Sequence, residues 1–397
     1  MSLARYIAVW TTRFPRLSPL FRFESAAPEA VGADGRSRLR YLPALDGVRG
    51  VAIAMVMAIH FGFKTPQSGR IGVTLFFVLS GYLITSLLRD EHAARGRIDF
   101  FEFYKRRARR LLPALVVVIA VSFVWQLADG DWFNAWTGAI AATFYVSNWA
   151  IRAGDNLGFL NHTWSLAVEE QFYLWWPLAL GLVMRFLPRF VGPFVIISAV
   201  LATLDAIKGP ALPIDRAAPL LLGCLLAYLP RIRFAPIFGL VAGVVLAVMS
   251  FLTITHGPLL AAIAILSFAF LAGVLEATPV SRLLSWAPLV ALGKISYGLY
   301  LWHYPVSRVL ATPHVTVTRI IADTVVSLAL AIISYKFIEA PFRKRRRRDS
   351  VEPAPEAPGA AAPVPEAAGV AGRALEAPAS RSTVPVDRVV APDPKSV

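Results

Sequence analysis

Long apolar stretches recur along this chain of 397 residues, and they restrict its fold more than any other feature. A transmembrane helix needs about 20 predominantly apolar residues, and inside a bilayer only helices and closed barrels satisfy every backbone hydrogen bond. No stretch shows the alternating pattern of a strand, so the sequence predicts an all-α, polytopic transmembrane helix bundle. The ten stretches suited to spanning lie near residues 43–63, 71–88, 111–128, 164–187, 191–207, 214–230, 234–252, 258–276, 289–310 and 317–338.

The topology depends on an eleventh, shorter apolar stretch near residues 136–150. Lysine and arginine are enriched in cytoplasmic loops. If 136–150 does not span, every strongly basic segment lies on one side of the membrane; if it spans, the later ones move to the opposite side. We therefore predict about ten spans rather than eleven, both termini in the cytoplasm, and an external re-entrant or interfacial segment at 129–162. The basic segments are the N-terminal arm, 89–110, 185–189, 231–233 and 343–348.

The net charge of +15 does not indicate a nucleic-acid-binding protein, because the basic residues lie between apolar stretches rather than in a basic folded domain. Cys224 is the only cysteine, which excludes an intramolecular disulfide and a thiolate metal site, and we expect no metal. The composition predicts a basic cytoplasmic arm (1–42), a transmembrane domain (43–343) and a basic stop followed by a Pro/Ala-rich tail (344–397). The tail has too few apolar residues to fold, so we expect it to be disordered and dispensable for the chemistry.

The first apolar stretch, 43–63, carries two groups that are costly in lipid, Arg49 and His60. Eleven residues apart on a helix, they lie on nearly the same face and about 16 Å apart along the axis. Ionisable residues at membrane depth usually face a bundle interior or a water-filled cavity. The alternative is that Arg49 reaches the nearer headgroups and His60 lies at the far interface.

Ser80 and Gly81 lie near the middle of the second stretch, among aromatic residues. Small residues let a ligand or another helix approach closely, so the pair lines either a cavity or a helix-packing contact. The sequence leaves these two interpretations open.

A basic cluster precedes the third stretch and includes Arg106, Arg107 and Arg110. Such a cluster at the cytoplasmic end of a span ordinarily fixes its orientation. Guanidinium groups also bind phosphate with two hydrogen bonds at once, so the same cluster is suited to an anionic donor. Both interpretations stay open.

Two adjacent glutamates, Glu169 and Glu170, lie in the first turns of the stretch at 164–187. Their side chains point about 100° apart, so each needs a different partner. In the ten-span topology Glu169 and His60 lie at similar depth, and a carboxylate that orients an imidazole suits a general base acting on a hydroxyl. The alternative is a buried ion pair that holds two helices together.

Several motifs occur together and in a fixed order between about Tyr41 and Arg343. They are DGVRGVAIAMVMAIH, FFVLSGYLIT, FYKRRARRLLPA, TWSLAVEEQFY, Asp215-Arg216-Ala217, GKISYGLYLWHYP and IEAPFR. Over that range the chain resembles the bacterial membrane acyltransferase-3 family, the O-acyltransferases that modify lipopolysaccharide, exopolysaccharide, Nod factors and macrolides. The resemblance places the family's arginine and histidine at Arg49 and His60. The family's other matching residues are the Ser-Gly pair at Ser80 and Gly81 and the glutamate at Glu169.

The resemblance implies an acyl-CoA donor, most simply acetyl-CoA, and a location in the bacterial cytoplasmic (inner) membrane. We expect an acyltransferase that moves the acyl group to a hydroxyl of a cell-envelope glycan, glycolipid or secreted metabolite. Acyl-CoA is then a co-substrate, and we expect no permanently bound cofactor. Some family members carry an extracellular esterase-like domain; because the tail here is expected to be disordered, we expect the bundle to complete the catalysis.

The expected roles follow from the same resemblance. The 3′,5′-ADP end of CoA binds Arg106, Arg107 and Arg110, and the pantetheine passes Arg49. His60, oriented by Glu169, either deprotonates the acceptor hydroxyl or carries the acyl group itself. An aromatic belt at the membrane interface explains Tyr300 and His303 about as well as a cavity does. The residues expected to line the cavity are Ser80, Gly81, Trp164, Ser165, Glu170, Tyr173, Tyr300 and His303.

A second class of function fits the same buried residues. Arg49, His60 and Glu169 also suit a proton- or anion-coupled transporter, in which ionisable groups inside the membrane form a path. Transporters of this size usually show paired repeats and broken helices in matching halves, and the sequence shows neither. The acyltransferase is therefore the preferred interpretation.

Overall fold

The computed structural model describes residues 41–208, 217–230, 233–253 and 258–342, and the regular secondary structure in these ranges is entirely helical. Three predictions concern residues outside the described ranges: the cytoplasmic arm up to residue 40, the Asp215-Arg216 motif, and the basic stop with its tail from residue 343. The helices are α1 (Pro43–His60), α2 (Ser68–Arg95), α3 (Phe100–Ala128), α4 (Trp132–Thr143), α5 (Ser147–Ala153), α6 (Trp164–Phe186), α7 (Val191–Lys208), α8 (Ala217–Leu226), α9 (Ala235–Met249), α10 (Leu259–Val274), α11 (Pro279–Leu284), α12 (Ala287–Lys294), α13 (Ser296–Val309) and α14 (Val317–Ile333). Shorter segments are 3₁₀-helical at Gly158–Thr163 and Pro188–Phe190 and π-helical at Ser334–Glu339.

Five helices in the described ranges are long and apolar enough to cross a membrane. Each of the ten predicted apolar stretches contains a described helix. The all-helical architecture is thus confirmed, whereas the count of ten spans and the side of each terminus stay predictions. The five are Pro43–His60, Ser68–Arg95, Phe100–Ala128, Pro188–Ile207 and Val317–Phe342, and shorter apolar helices lie at Ala217–Leu226, Ala235–Met249 and Leu259–Val274.

The stretch at 136–150 does not form one long helix. Helix α4 has 12 residues and α5 has 7, and Tyr145 between them adopts a positive φ of 54° that interrupts the helical backbone. At 1.5 Å per residue α4 is about 18 Å long, well short of the roughly 30 Å hydrocarbon core of a bilayer. Helix length therefore favours the interpretation in which this segment does not span.

Helix α1 lies between α2, α12 and α13 and so occupies the centre of this part of the bundle. It begins at Pro43, whose fixed φ suits the first helical turn. It ends at His60, and Gly62 just beyond has a φ of 93°, which glycine adopts without a steric penalty. Ile53 and Val56 are buried in a shared apolar cluster with residues of α2 and α13. This packing fixes the face of α1 that carries the polar residues.

Gly81 packs against α8. A Cβ atom added to Gly81 would overlap the carbonyl oxygen of Leu220, and one added to Gly223 would overlap that of Val78. The two glycines therefore let α2 and α8 cross with their backbones in contact. This corrects the prediction that Gly81 lines the cavity; Ser80, which points about 100° away on the same helix, does line it.

Candidate functional site

Helices α1, α2, α3, α6 and α13 contribute the walls of a cavity of about 110 Å³. Nine residues that were predicted from the sequence line it, namely Arg49, Ser80, Arg107, Arg110, Ser165, Glu169, Glu170, Tyr173 and Tyr300. The remaining wall was not predicted and consists of Val73, Phe76, Phe77, Leu111, Leu166, Ser296 and Tyr297. The cavity thus combines charged groups with a largely apolar wall.

Glu169 connects α6 to α2. Its Oε1 accepts hydrogen bonds from the hydroxyls of Ser80 and Tyr173, each at 2.5 Å. Tyr173 follows Glu169 by four residues and so lies on the same face of α6. These two donors hold the carboxylate at the cavity wall.

Arg107 and Glu170 form an ion pair between α3 and α6. The guanidinium donates through Nε to Oε2 (3.0 Å) and through Nη2 to Oε1 (2.6 Å), which is the two-pronged geometry that arginine favours. Its central carbon also lies 3.2 Å from the centre of the Tyr173 ring. Arg107, predicted as a ligand of the donor phosphate, therefore already has a carboxylate partner.

Arg49 reaches the cavity from α1. Its Nη1 lies 3.3 Å from Oδ1 of Asp46, one turn earlier. The hydroxyl of Tyr41 donates to Oδ2 of Asp46 at 2.8 Å, and this hydrogen bond raises the pKa of Tyr41, which lies before the helix. With Arg107 and Arg110 from α3, Arg49 brings a third guanidinium group to the cavity.

Arg106 does not line the cavity. Its Nη2 lies 3.8 Å from Oε2 of Glu91 on α2. Consecutive helical residues point about 100° apart, so Arg106 and Arg107 face different sides of α3. The structure therefore divides the predicted phosphate-binding group, with Arg107 and Arg110 at the cavity and Arg106 beside Glu91, which lines a separate crevice. That crevice measures about 320 Å³ and is lined by Glu91, Arg95, Arg97 and Asp99.

A histidine cluster, consisting of His60, His162, His303 and Tyr304, lies beside the cavity. The ring centroid of His303 is 5.0 Å from that of His60 and 5.5 Å from that of His162. Tyr304 contacts His60 edge-on at 5.2 Å and stacks on His162 at 5.1 Å. Burial lowers the pKa of His162, which precedes α6, well below its usual range. His162 was not predicted from the sequence, because it lies in a 3₁₀ segment where no helical periodicity indicates its direction.

The predicted pairing of Glu169 with His60 is wrong. His60 contacts the other rings of the histidine cluster, and the recorded hydrogen bonds of Glu169 go to Ser80 and Tyr173. His162, which contacts His303 in the cluster, lies just before α6 begins at Trp164. Glu169 lies five residues beyond Trp164, or about 7.5 Å farther along the helix axis. From the sequence, the depths of Glu169 and His60 in the membrane are estimated from the ends of their apolar stretches, and such an estimate is too coarse to show a difference of this size.

Backbone carbonyls fix the tautomer of two rings in the cluster. Nδ1 of His60 lies 2.8 Å from the carbonyl oxygen of Val56, and Nδ1 of His303 lies 2.8 Å from that of Tyr300. A carbonyl oxygen only accepts, so Nδ1 carries the proton in each neutral ring and Nε2 carries the lone pair. The hydrogen bond of His60 is made through Nδ1, and Nε2 of His303 has no hydrogen-bond partner within the described ranges. Each ring therefore presents Nε2 as a base or nucleophile.

Tyr300 forms the wall between the cavity and the histidine cluster. Its hydroxyl donates to the carbonyl oxygen of His162 at 2.5 Å and lies 2.6 Å from the Ser165 hydroxyl. Because the tyrosine proton points to the carbonyl, Ser165 is the donor in the second bond. The Tyr300 ring lies 5.4 Å from His162 and 5.5 Å from His303, and its other side lines the cavity.

Three further predicted residues lie outside the cavity lining. Trp164 packs on the apolar cluster that contains Val56, because it points about 140° away from Glu169 around α6. His60 and His303 belong to the histidine cluster, on the far side of Tyr300. The prediction that His303 lines the cavity is therefore corrected.

Comparison with known proteins identifies the family. A family model described as an acyltransferase domain matches residues 42–336, which include the cavity and the histidine cluster. The chain belongs to the acyltransferase-3 family. The resemblance inferred from the motifs is thus confirmed, and no solved structure matches the chain.

Three curated relatives share this acyltransferase-3 region. Peptidoglycan O-acetyltransferase OatA of Listeria monocytogenes is 35% identical over 350 residues, which cover 77% of this chain and 56% of the relative. The putative peptidoglycan O-acetyltransferase YrhL of Bacillus subtilis and O-acetyltransferase OatA of Staphylococcus aureus are also 35% identical, with 77% of this chain covered and 55% and 58% of their own lengths. The chain therefore spans a little over half the length of these relatives.

Proposed function

We propose that this acyltransferase-3 chain is a membrane O-acyltransferase, most simply an O-acetyltransferase, that moves an acyl group from cytoplasmic acyl-CoA to a hydroxyl of a cell-envelope glycan. The observation that supports it most directly is a cavity with three guanidinium groups that adjoins the histidine cluster at the side chain of Tyr300. A donor and an acceptor that approach from opposite faces of a membrane need such an arrangement. Two of the three relatives are named for peptidoglycan, so a peptidoglycan sugar is the acceptor we favour.

The cavity is suited to one end of the donor. Arg49, Arg107 and Arg110 supply the positive charge that attracts a phosphate-bearing molecule. At about 110 Å³ the cavity is smaller than the roughly 300–1,000 Å³ of pockets that hold a drug-sized ligand. It therefore fits the acyl-pantetheine end with a short acyl group, while the nucleotide of CoA stays outside. We keep Arg107 and Arg110 as donor-binding residues and place Arg106 outside the cavity.

His60 is the residue that we assign to the chemistry. Its Nδ1 proton is held by the Val56 carbonyl, so Nε2 is available to deprotonate the acceptor hydroxyl or to carry the acyl group. Glu169 acts from the cavity side, where it holds the hydroxyls of Ser80 and Tyr173. Through the Tyr173 ring it also supports the position of the Arg107 guanidinium.

The experiment uses the purified chain in lipid nanodiscs, supplied with acetyl-CoA and oligomers of β-1,4-linked N-acetylglucosamine as the acceptor. We expect release of CoA thiol that depends on the acceptor, and an acetylated oligomer detected by mass spectrometry. The only cysteine, Cys224, is buried and adds little background to a thiol assay.

The matched pair of variants is His60→Ala and His314→Ala, since His314 is exposed in the loop between α13 and α14. The first should lose transfer and the second should keep it. A proton- or anion-coupled transporter would leave acetyl-CoA unchanged with every acceptor, and that result would contradict the proposal.

A further inference from the structure

The histidine cluster contains a buried nitrogen that the proposed function has not used. His303 is 0% exposed, and its Nε2 has no hydrogen-bond partner within the described ranges. Its Nδ1 is held by the carbonyl oxygens of Tyr300 at 2.8 Å and Leu299 at 3.1 Å, so the ring cannot turn to relieve Nε2 without losing both contacts. Most buried polar atoms in proteins have a partner, so an unpartnered ring nitrogen beside a reactive group calls for an explanation.

His60 alone cannot perform both halves of a two-step transfer. With Nδ1 bonded to the Val56 carbonyl, the ring has one available nitrogen. If Nε2 carries the acyl group, that nitrogen is no longer a base. A second base must then take the proton of the attacking hydroxyl.

The carboxylates near the cavity do not supply that base. Glu169 accepts from Ser80 and Tyr173, and Glu170 is paired with Arg107. No carboxylate contacts the rings of the histidine cluster in the described ranges. The nearest ring to His60 with a free lone pair is that of His303, at 5.0 Å between centroids.

We propose that His60 carries the acyl group on Nε2 and that Nε2 of His303 deprotonates the acceptor hydroxyl. In the first step Nε2 of His60 bonds to the acyl carbon, the carbon–sulfur bond breaks, and CoA leaves as a thiolate. In the second step the hydroxyl oxygen bonds to the acyl carbon and its proton moves to Nε2 of His303. The carbon–nitrogen bond breaks, and its electron pair returns to His60. The proton on His303 then leaves to solvent through the accessible edge of the cluster at His60 and Tyr304, and the thiolate takes one from water.

The exposure of the cluster agrees with this division of roles. His60 and Tyr304 are half-buried and form the accessible edge, whereas His303 is enclosed. Exclusion of water from the base limits hydrolysis of the acyl group on His60. The acceptor hydroxyl therefore approaches past His60 and Tyr304.

This inference rests on the proposed function, and the test separates the two half-reactions. Purified protein in nanodiscs is mixed rapidly with radiolabelled acetyl-CoA, first alone and then with the N-acetylglucosamine oligomer. His303→Asn keeps an N–H near the position of Nδ1 but has no base, and His314→Asn is the matched control. For His303→Asn we expect the release of one CoA per protein at the wild-type rate, and a fall of about 10²- to 10⁴-fold in acceptor-dependent turnover.

Each other outcome contradicts the inference in its own way. Full turnover in His303→Asn shows that this ring is not the base. Equal loss of the CoA burst and of turnover shows a structural role. Turnover without a burst in the wild type shows direct transfer, whereas the absence of any CoA release in the wild type contradicts the proposed function itself.

Discussion

Replacement of Arg107 by Gln tests the ion pair that joins α3 to α6. The change leaves the Glu170 carboxylate in the bundle without its two charge-assisted hydrogen bonds of 2.6 and 3.0 Å. Loss of one partner of a buried pair typically costs about 3–5 kcal/mol. The side chains of Arg107 and Glu170 are 23% and 14% exposed. We therefore expect a cost at the lower end of this range, about 3 kcal/mol, which changes the unfolding equilibrium constant roughly a hundredfold.

The assay is reversible unfolding in mixed detergent micelles for the wild type, Arg107→Gln, Glu170→Gln and the double variant. The double variant replaces both charges with amides that can bond to each other, so we expect it within about 1 kcal/mol of the wild type. The coupling energy from this cycle should then be about 2 kcal/mol or more. Single-variant costs that simply add in the double variant would refute the assignment of this pair as a coupled structural contact.

Three further predictions concern the site and the topology. His60→Ala should lower transfer by at least about 10²- to 10⁴-fold without loss of membrane insertion, as measured by turnover and membrane yield. Arg110→Gln should raise the KM for acyl-CoA about ten- to hundredfold, from loss of a charge-assisted hydrogen bond of about 1.5–3 kcal/mol, whereas Arg106→Gln should leave it unchanged; equal effects would contradict the division of the cluster. In a Cys224→Ser background, cysteines placed in 129–162 should react with an impermeant reagent from outside and cysteines after residue 348 only from inside, and external labelling of the latter would reverse the order of the later loops.

The sequence predicts the helices and many of the cavity residues for one physical reason. A long apolar stretch in a membrane must satisfy its backbone within a helix, and a charged group on such a helix must face the interior. This argument locates Arg49, Glu169 and Glu170 at a cavity without knowledge of the neighbouring helices. It needs composition and periodicity alone.

Pairing between helices does not follow from the same argument. A shift of one residue along a helix turns a side chain by about 100°. The partners of Glu169 and Glu170 therefore depend on how each helix is rotated about its axis and how deep it lies relative to its neighbours, and the sequence of one apolar stretch does not contain this information. The division of Arg106 from Arg107 has the same origin. So has the difference between Ser80, which lines the cavity, and Gly81, which packs against α8. His162 lies in a short 3₁₀ segment, so helical periodicity could not predict the direction of its side chain.

Tyr300→Phe tests whether the wall between the cavity and the histidine cluster acts through its hydroxyl or its ring. The variant loses the bond to the His162 carbonyl at 2.5 Å and the bond from Ser165 at 2.6 Å, but keeps the ring contacts with His162 and His303. Loss of a buried hydrogen bond that leaves a carbonyl unpaired costs about 1–3 kcal/mol, so we expect a measurable loss of stability.

Because the ring contacts remain, CoA release in the absence of acceptor should stay slow beyond the first turnover in Tyr300→Phe, and the KM for acyl-CoA should not change. Ser165→Ala removes only the second bond and serves as the control, with a smaller loss of stability. The double variant should be less destabilised than the sum of the single variants, because both remove the same bond. Uncoupled hydrolysis of acyl-CoA by Tyr300→Phe, above that of Ser165→Ala, would show instead that the hydroxyl anchors a barrier that the ring alone cannot maintain.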